Sequence, residues 1–139
     1  MIFGTRQGTE LLLHVWNEFA HWLLVDNTEG VITKVTDDQH WITINIVADL
    51  YRAQTNGANF NQKLWFSASK AANDHALTTK GSAQHALYAA HFAADAAACP
   101  LPNSKAEYAT RAVEKAIEAI GNTHSKRCSQ KFIRLLKNY

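Results

Sequence analysis

The sequence contains few residues that break helices and few that crosslink chains. Its 139 residues include two prolines, six glycines and two cysteines, Cys99 and Cys128, which lack CxxC or framework spacing. This excludes a disulfide-stapled miniprotein, and reduced thiols in a cytoplasmic protein are the simplest interpretation. No apolar run reaches the roughly 18 residues of a membrane span, and no signal peptide is visible. We therefore expect a soluble, cytoplasmic protein with one core.

The sequence instead shows a helical pattern over nearly its whole length. Alanine occurs 22 times, 13 of them between Ala68 and Ala98, and apolar residues recur at spacings of three and four. We predict an all-α, single-domain bundle of about six helices over residues 1–139. The helices are expected at 9–25, from 36 to the break at 56–57, and at 61–79, 82–98, 104–121 and 125–138. Residues 31–35 are expected to form a short extended piece.

Two of these helix starts are predicted from capping-box spacing. Thr36 precedes Gln39 by three residues, and Ser104 precedes Glu107 by three, as in the reciprocal hydrogen bonds of a capping box. The helix from 36 carries many β-branched residues, so a strand is the competing assignment. As a helix it should bury one stripe formed by Trp41, Ile44, Val47, Leu50 and Tyr51.

The alanine-rich third and fourth helices predict close helix packing. Small side chains allow helix axes to approach towards the low end of the usual range of about 8–10 Å. These helices are expected either at the centre of the bundle or across a subunit interface. The apolar stripes and the alanine-rich face together favour a homodimer.

Seven histidines make a metal site one hypothesis. His14, Glu18 and His21 are spaced to lie along one face of the first helix. Glu18 and His21 form a Glu-x-x-His pair, the spacing found in di-metal carboxylate bundles. His91 and Asp95 are four residues apart on the fourth helix and complete the set of candidate ligands. The competing interpretation is that these are histidines with ordinary contacts one helical turn away.

The sequence contains no pattern that indicates catalysis. It has no GxSxG, phosphate-binding loop, GxGxxG, HExxH, zinc pattern or EF-hand loop. Cys99 follows a helix C-terminus, where the helix dipole disfavours a thiolate, and Cys128 lies on an apolar stripe. We therefore predict no catalytic residue and no cofactor.

Positive charge is concentrated at the C-terminal end. Residues 1–122 carry nine Lys or Arg and twelve Asp or Glu, a net charge of −3, whereas 123–139 carry five bases and no acid. A basic amphipathic helix is suited to an acidic partner; nucleic-acid binding is not favoured, because aromatic interleaving and a wide basic surface are lacking. The candidate partner-binding residues are Lys126, Arg127, Lys131, Arg134 and Lys137.

Several segments between residues 49 and 139 resemble small bacterial alanine-rich helical proteins. The segments are 49–53 (DLYRA), 64–72 (LWFSASKAA), 85–91 (HALYAAH) and 130–136 (QKFIRLL). Some of those proteins are classed as immunity proteins of toxin systems, and others have no assigned role and travel on mobile elements. The resemblance implies a binding role without catalysis.

Three functions follow as hypotheses. The first is a small protein-binding module of immunity type or a mobile-element accessory protein, which acts by occluding a partner. The second is a metal-binding bundle that uses the histidines and acids above. The third is a small-molecule-binding bundle whose site lies between helices and is lined by tryptophans.

Overall fold

The computed structural model describes the backbone of residues 6–138 and the side chains of residues 11–138. The described residues form six α-helices and one short 3-10 helix, with no strand among them. The all-α bundle is therefore confirmed. The α-helices are α1 (Arg6–Val25), α2 (Asp38–Thr55), α3 (Gln62–Leu77), α4 (Gly81–Ala98), α5 (Pro102–Ile120) and α6 (His124–Lys137), and the 3-10 helix is Val31–Lys34. Within the described part of the chain, none of these helices has the length and apolarity needed to cross a membrane.

The expectation of an extended piece at 31–35 is wrong, because this segment makes a 3-10 turn. The Thr33 hydroxyl donates to the Gly30 carbonyl at 2.8 Å. Val31 and Val35 are buried while Thr33 is exposed. A spacing of four between buried residues suits a helical turn, whereas a strand would bury residues two apart.

Both predicted capping boxes are also wrong: the cap of α2 lies one residue after Thr36, and that of α5, Leu101, lies three residues before Ser104. Asp37 caps α2, because its Oδ1 accepts hydrogen bonds from the backbone N–H groups of Gln39 at 2.8 Å and His40 at 3.3 Å. The α5 helix begins at Pro102, two residues before Ser104. Proline suits this first position because its fixed φ is helical and its missing N–H has no helical partner there.

The alanine-rich helix α4 lies at the centre of the bundle and contacts α1, α2, α3 and α5. Seven of its alanines are buried within the chain itself: Ala86, Ala89, Ala90, Ala93, Ala94, Ala96 and Ala98. The centre of the bundle is thus the observed position of α4, whereas α3 lies to one side and packs mainly on α4 and α2. The larger residues of the surrounding helices, such as Trp65 and Tyr51, fill the remaining space.

One tyrosine joins three helices by hydrogen bonds. The buried Tyr51 hydroxyl of α2 donates to the Ala93 carbonyl of α4 at 2.6 Å and accepts from Trp16 Nε1 of α1 at 3.0 Å. Burial raises the pKa of Tyr51, so the hydroxyl keeps its proton and can donate. This bridge fixes the relative position of α1, α2 and α4 near the middle of the core.

The predicted buried stripe of α2 is correct except at its first and fourth members. Ile44, Val47 and Tyr51 are buried, but Trp41 is 53% exposed and Leu50 is half-buried. The helix also exposes Ile42 and Ile46, which lie one turn apart. Because apolar residues lie on both faces of α2, its sequence does not show a single apolar stripe. This is why a strand was the competing assignment for its β-branched residues.

Candidate partner-binding surface

Helix α6 is strongly amphipathic and packs mainly on α1. Its apolar side buries Cys128 and Leu135 and half-buries Phe132, whereas its other side carries the five predicted basic residues. Burial raises the pKa of Cys128 to about 11, so this thiol is a packing group rather than a nucleophile. The sequence therefore identified the two faces of this helix correctly.

The five basic residues of α6 do not act as one group. Arg127 pairs with Glu29 of the α1–3-10 connection at 2.6 Å, and Lys131 lines a polar cleft on the α1–α2 side. Lys126, Arg134 and Lys137 are exposed and make no ion pair with the described side chains of residues 11–138. Three of the five are therefore available to a partner.

An open apolar groove of about 480 Å³ runs between α5 and α6, with α1 as its floor. We call it the α5–α6 groove; it is lined by Trp16, Phe19, Ala106, Ala109, Thr110, Val113, Cys128, Ser129, Phe132 and Ile133. The α5 wall has small side chains, while on the α6 wall Ile133 is 52% exposed. A groove of this shape suits an apolar side chain or helix from another polypeptide.

The two sides of the α5–α6 groove carry opposite charges. On α5, Glu107 and Glu114 are exposed and lie one turn on either side of the groove-lining Thr110; we call them the acidic edge. On α6, Lys126 lies one turn before the groove-lining Ser129, and Lys137 lies one turn after Ile133; these two are the basic edge. The two edges do not pair across the groove within the described chain. Of their four residues only Glu107 has an ion-pair partner there, Arg111 of the same helix at 2.6 Å.

A buried histidine attaches the start of α6 to the rest of the bundle. His124 has no exposed surface and stacks on Trp22 at 5.7 Å between ring centroids. Its Nδ1 lies 3.3 Å from Glu29 Oε2, and neither ring nitrogen makes a hydrogen bond within the described chain. Burial lowers the pKa of His124, and the Glu29 carboxylate opposes this only in part. The ring is therefore neutral near pH 7.

The structure separates the two halves of the predicted metal set. His21 faces Arg52 of α2, whose Nη2 lies 3.1 Å from Nε2 of the ring; burial, and then the guanidinium, lower the pKa of His21. His14 is exposed and Glu18 is half-buried on the same helix. Among the described side chains, those of residues 11–138, no three from His, Cys, Asp or Glu are grouped so as to hold a metal ion.

The other predicted pair, His91 and Asp95, forms a polar tie between α4 and α3. His91 Nδ1 lies 3.1 Å from the Ser69 carbonyl oxygen and 2.9 Å from the Ser69 hydroxyl oxygen. The Ser69 hydroxyl donates to Asp95 at 2.5 Å, and His91 Nε2 lies 3.4 Å from the same carboxylate. The cluster therefore joins α3 and α4 by polar contacts.

A polar cleft of about 460 Å³ lies between α1, α2 and α6, a volume in the range of small-molecule sites. Its charged and titratable lining comprises Glu18, His21, Asp26, Arg52 and Lys131. Of the tryptophans only Trp22 lines it, so it is not the aromatic site that the sequence suggested. The small-molecule hypothesis stays a prediction.

Two features were not found by reading the sequence. His40 of α2 and His75 of α3 contact each other at 5.3 Å between ring centroids, which no spacing in the sequence reveals. The α5–α6 groove was also missed, because it depends on how α1, α5 and α6 are placed; the only signal in the sequence was the half-apolar, half-basic α6. No family model matches the chain, and no curated protein or solved structure matches it either.

Proposed function

We propose that this chain is a protein-binding module without a catalytic role, and that the α5–α6 groove receives a segment of its partner. The observation that carries this proposal is an open apolar groove with charged edges on a surface formed by three helices. An exposed apolar surface rimmed by polar residues is typical of protein–protein interaction sites.

The chemistry of the groove supports a polypeptide as the partner. Its floor is aromatic, with Trp16 and Phe19 in contact at 5.9 Å between ring centroids, and aromatic residues are enriched in binding surfaces. Its α5 wall is formed by small residues, which allow close approach of a helix. The unpaired Lys126 and Lys137 add a preference for acidic residues at one side of the bound segment.

An immunity-type or mobile-element accessory role is the further proposal that the resemblance implies. In that role the partner would be a toxin protein, and binding in the groove would occlude a surface of that toxin. The two parts of the proposal are independent, because the groove can bind a polypeptide whether or not the partner is a toxin.

The groove can be tested with helical peptides. A displayed library of helical peptides would be selected against the purified chain, and the selected peptides would be titrated while backbone amide NMR signals are followed. We expect the signals of α5 and α6 to shift. Affinity should fall at least about tenfold for Ile133→Asp, which places a charge in the groove.

Ile42→Asp is the matched control, because Ile42 is 45% exposed on α2, outside the groove. It should bind the peptides as the unmodified chain does. Peptides that shift only α2 and α3 signals, or that bind Ile133→Asp unchanged, would contradict the assignment of the groove.

A further inference from the structure

We propose that the partner that covers the α5–α6 groove is a second copy of this chain, related by a two-fold axis that runs parallel to α5 and α6. This inference rests on the proposed function, because it assigns the occupant of the same groove. The observation behind it is that one face of the molecule carries an acidic edge and a basic edge on opposite sides of an apolar centre.

The order of charges along the groove is set by the hairpin. Residues 121–123 join α5 to α6, so the C-terminal half of α5 and the N-terminal half of α6 lie at the same end of the groove. That near end carries Glu114 on one side and Lys126 on the other. The far end carries Glu107 and Lys137.

A two-fold axis along the groove makes this face complementary to itself. It places α6 of one copy over α5 of the other, with the near ends together and the far ends together. Lys126 then faces the partner's Glu114, and Lys137 faces the partner's Glu107. Each contact occurs twice, as in any isologous dimer, and the apolar groove walls meet between the two charged edges.

The size of the face predicts a weak dimer. With a rise of about 1.5 Å per residue, α6 is about 21 Å long, and two adjacent helices are about 20 Å wide. The covered area is then roughly 400 Å² per copy, compared with about 800 Å² in a standard interface. We expect a dissociation constant on the order of 10 µM.

The charges on the two edges of the groove favour a second copy over an unrelated acidic helix. An acidic helix would satisfy Lys126 and Lys137 but would place its negative charge near Glu107 and Glu114 across the same groove. A second copy satisfies both edges at once. Electrostatic complementarity of this kind selects the partner and its orientation more than it adds affinity.

The test is a charge exchange between the two edges. One variant carries Lys126→Glu with Lys137→Glu, and the other carries Glu107→Lys with Glu114→Lys. Each variant alone would bring like charges together in its homodimer, so each should dimerise about 10- to 100-fold more weakly than the unmodified chain. In an equal mixture the opposite charges meet again, and a heterodimer should form with the affinity of the unmodified dimer.

Sedimentation equilibrium would measure the affinities, and native mass spectrometry would identify the heterodimer by its mass. The control is Lys34→Glu with Lys63→Glu, which changes the net charge of the chain equally at exposed lysines outside the groove; it should leave dimerisation unchanged.

Three results would overturn the proposal: an unmodified chain that stays monomeric up to about 500 µM, well above the expected dissociation constant, charge variants that dimerise normally, or a mixture that forms no heterodimer. Peptide selection distinguishes failure of the dimer proposal from failure of the proposed function. If the chain is a monomer but its groove binds an acidic helix, the dimer proposal is wrong and the proposed function stands.

Discussion

Replacing Tyr51 by phenylalanine should destabilise the bundle by removing a hydroxyl that joins three helices. The substitution keeps the ring, which is 1% exposed and lies 4.7 Å from the ring of Trp65. It removes the hydrogen bond to the Ala93 carbonyl and leaves Trp16 Nε1–H without its acceptor. The packing is thus unchanged while two hydrogen bonds are lost.

The magnitude follows from what each group loses. Ala93 lies inside α4, so its carbonyl keeps its helical hydrogen bond, and losing the second costs about 1 kcal/mol. The part-buried Trp16 N–H is left unpaired, which costs about 1–2 kcal/mol. We expect the free energy of unfolding to fall by about 2.5 kcal/mol, equivalent to a Tm decrease of about 8 °C for a chain of this length.

Urea unfolding followed by far-UV circular dichroism would measure the change. Tyr88→Phe is the matched control, because the Tyr88 hydroxyl makes no hydrogen bond with the part of the chain whose side chains are described, residues 11–138. Its effect should stay within about 0.5 kcal/mol. A double-mutant cycle with Trp16→Phe should give a coupling of about 1 kcal/mol. A Tyr51→Phe variant as stable as the Tyr88→Phe control would refute the role assigned to this bridge.

Three further predictions concern stability. The free energy of unfolding should decrease as pH falls below about 6.5, because His124 binds a proton there in the unfolded chain but, with its lowered pKa, not in the folded one. In urea unfolding between about pH 7.5 and 5, His124→Phe should therefore show a shallower dependence of this free energy on pH. An unchanged dependence on pH would contradict the prediction. Ser69→Ala should cost about 1–2 kcal/mol by removing the donor to Asp95, and a neutral effect in the same assay would show that the tie between α3 and α4 is not needed. Ala90→Leu should cost about 3 kcal/mol because α4 has no space for it, whereas Ala53→Leu on an exposed face should change stability by less than about 0.5 kcal/mol; equal effects would show that the core is not tightly packed.

Helix content and most helix limits are predictable from this sequence because they depend on local features. Asn56-Gly57 ends α2, and Gly121 follows α5 with a φ of +127° that few other residues adopt. The errors occurred where two local signals compete. The cap of α2 is Asp37 rather than the predicted Thr36, and α5 begins at Pro102 rather than at the predicted Ser104.

The surface could be predicted only in part, because a helix sequence does not say what lies beside it. The amphipathic pattern of α6 was visible, including its basic face. Which bases stay unpaired was not visible, since Arg127 finds its partner, Glu29, 98 residues away. The exposure of Trp41 was missed for the same reason: its spacing matches the buried stripe of α2, but the neighbouring helices do not cover it.

The contrast between α4 and α6 determines how the molecule opens without unfolding. The amides of α4 are enclosed by four helices, so their hydrogen exchange should require global unfolding. Helix α6 is supported mainly by α1 and by the contacts of Glu29 with His124 and Arg127, so it should exchange through a smaller, local opening. Because α6 forms one wall of the α5–α6 groove, each such opening removes the binding surface while the centre of the bundle stays folded. The availability of that surface is thus governed by a local equilibrium, separate from the stability of the whole chain.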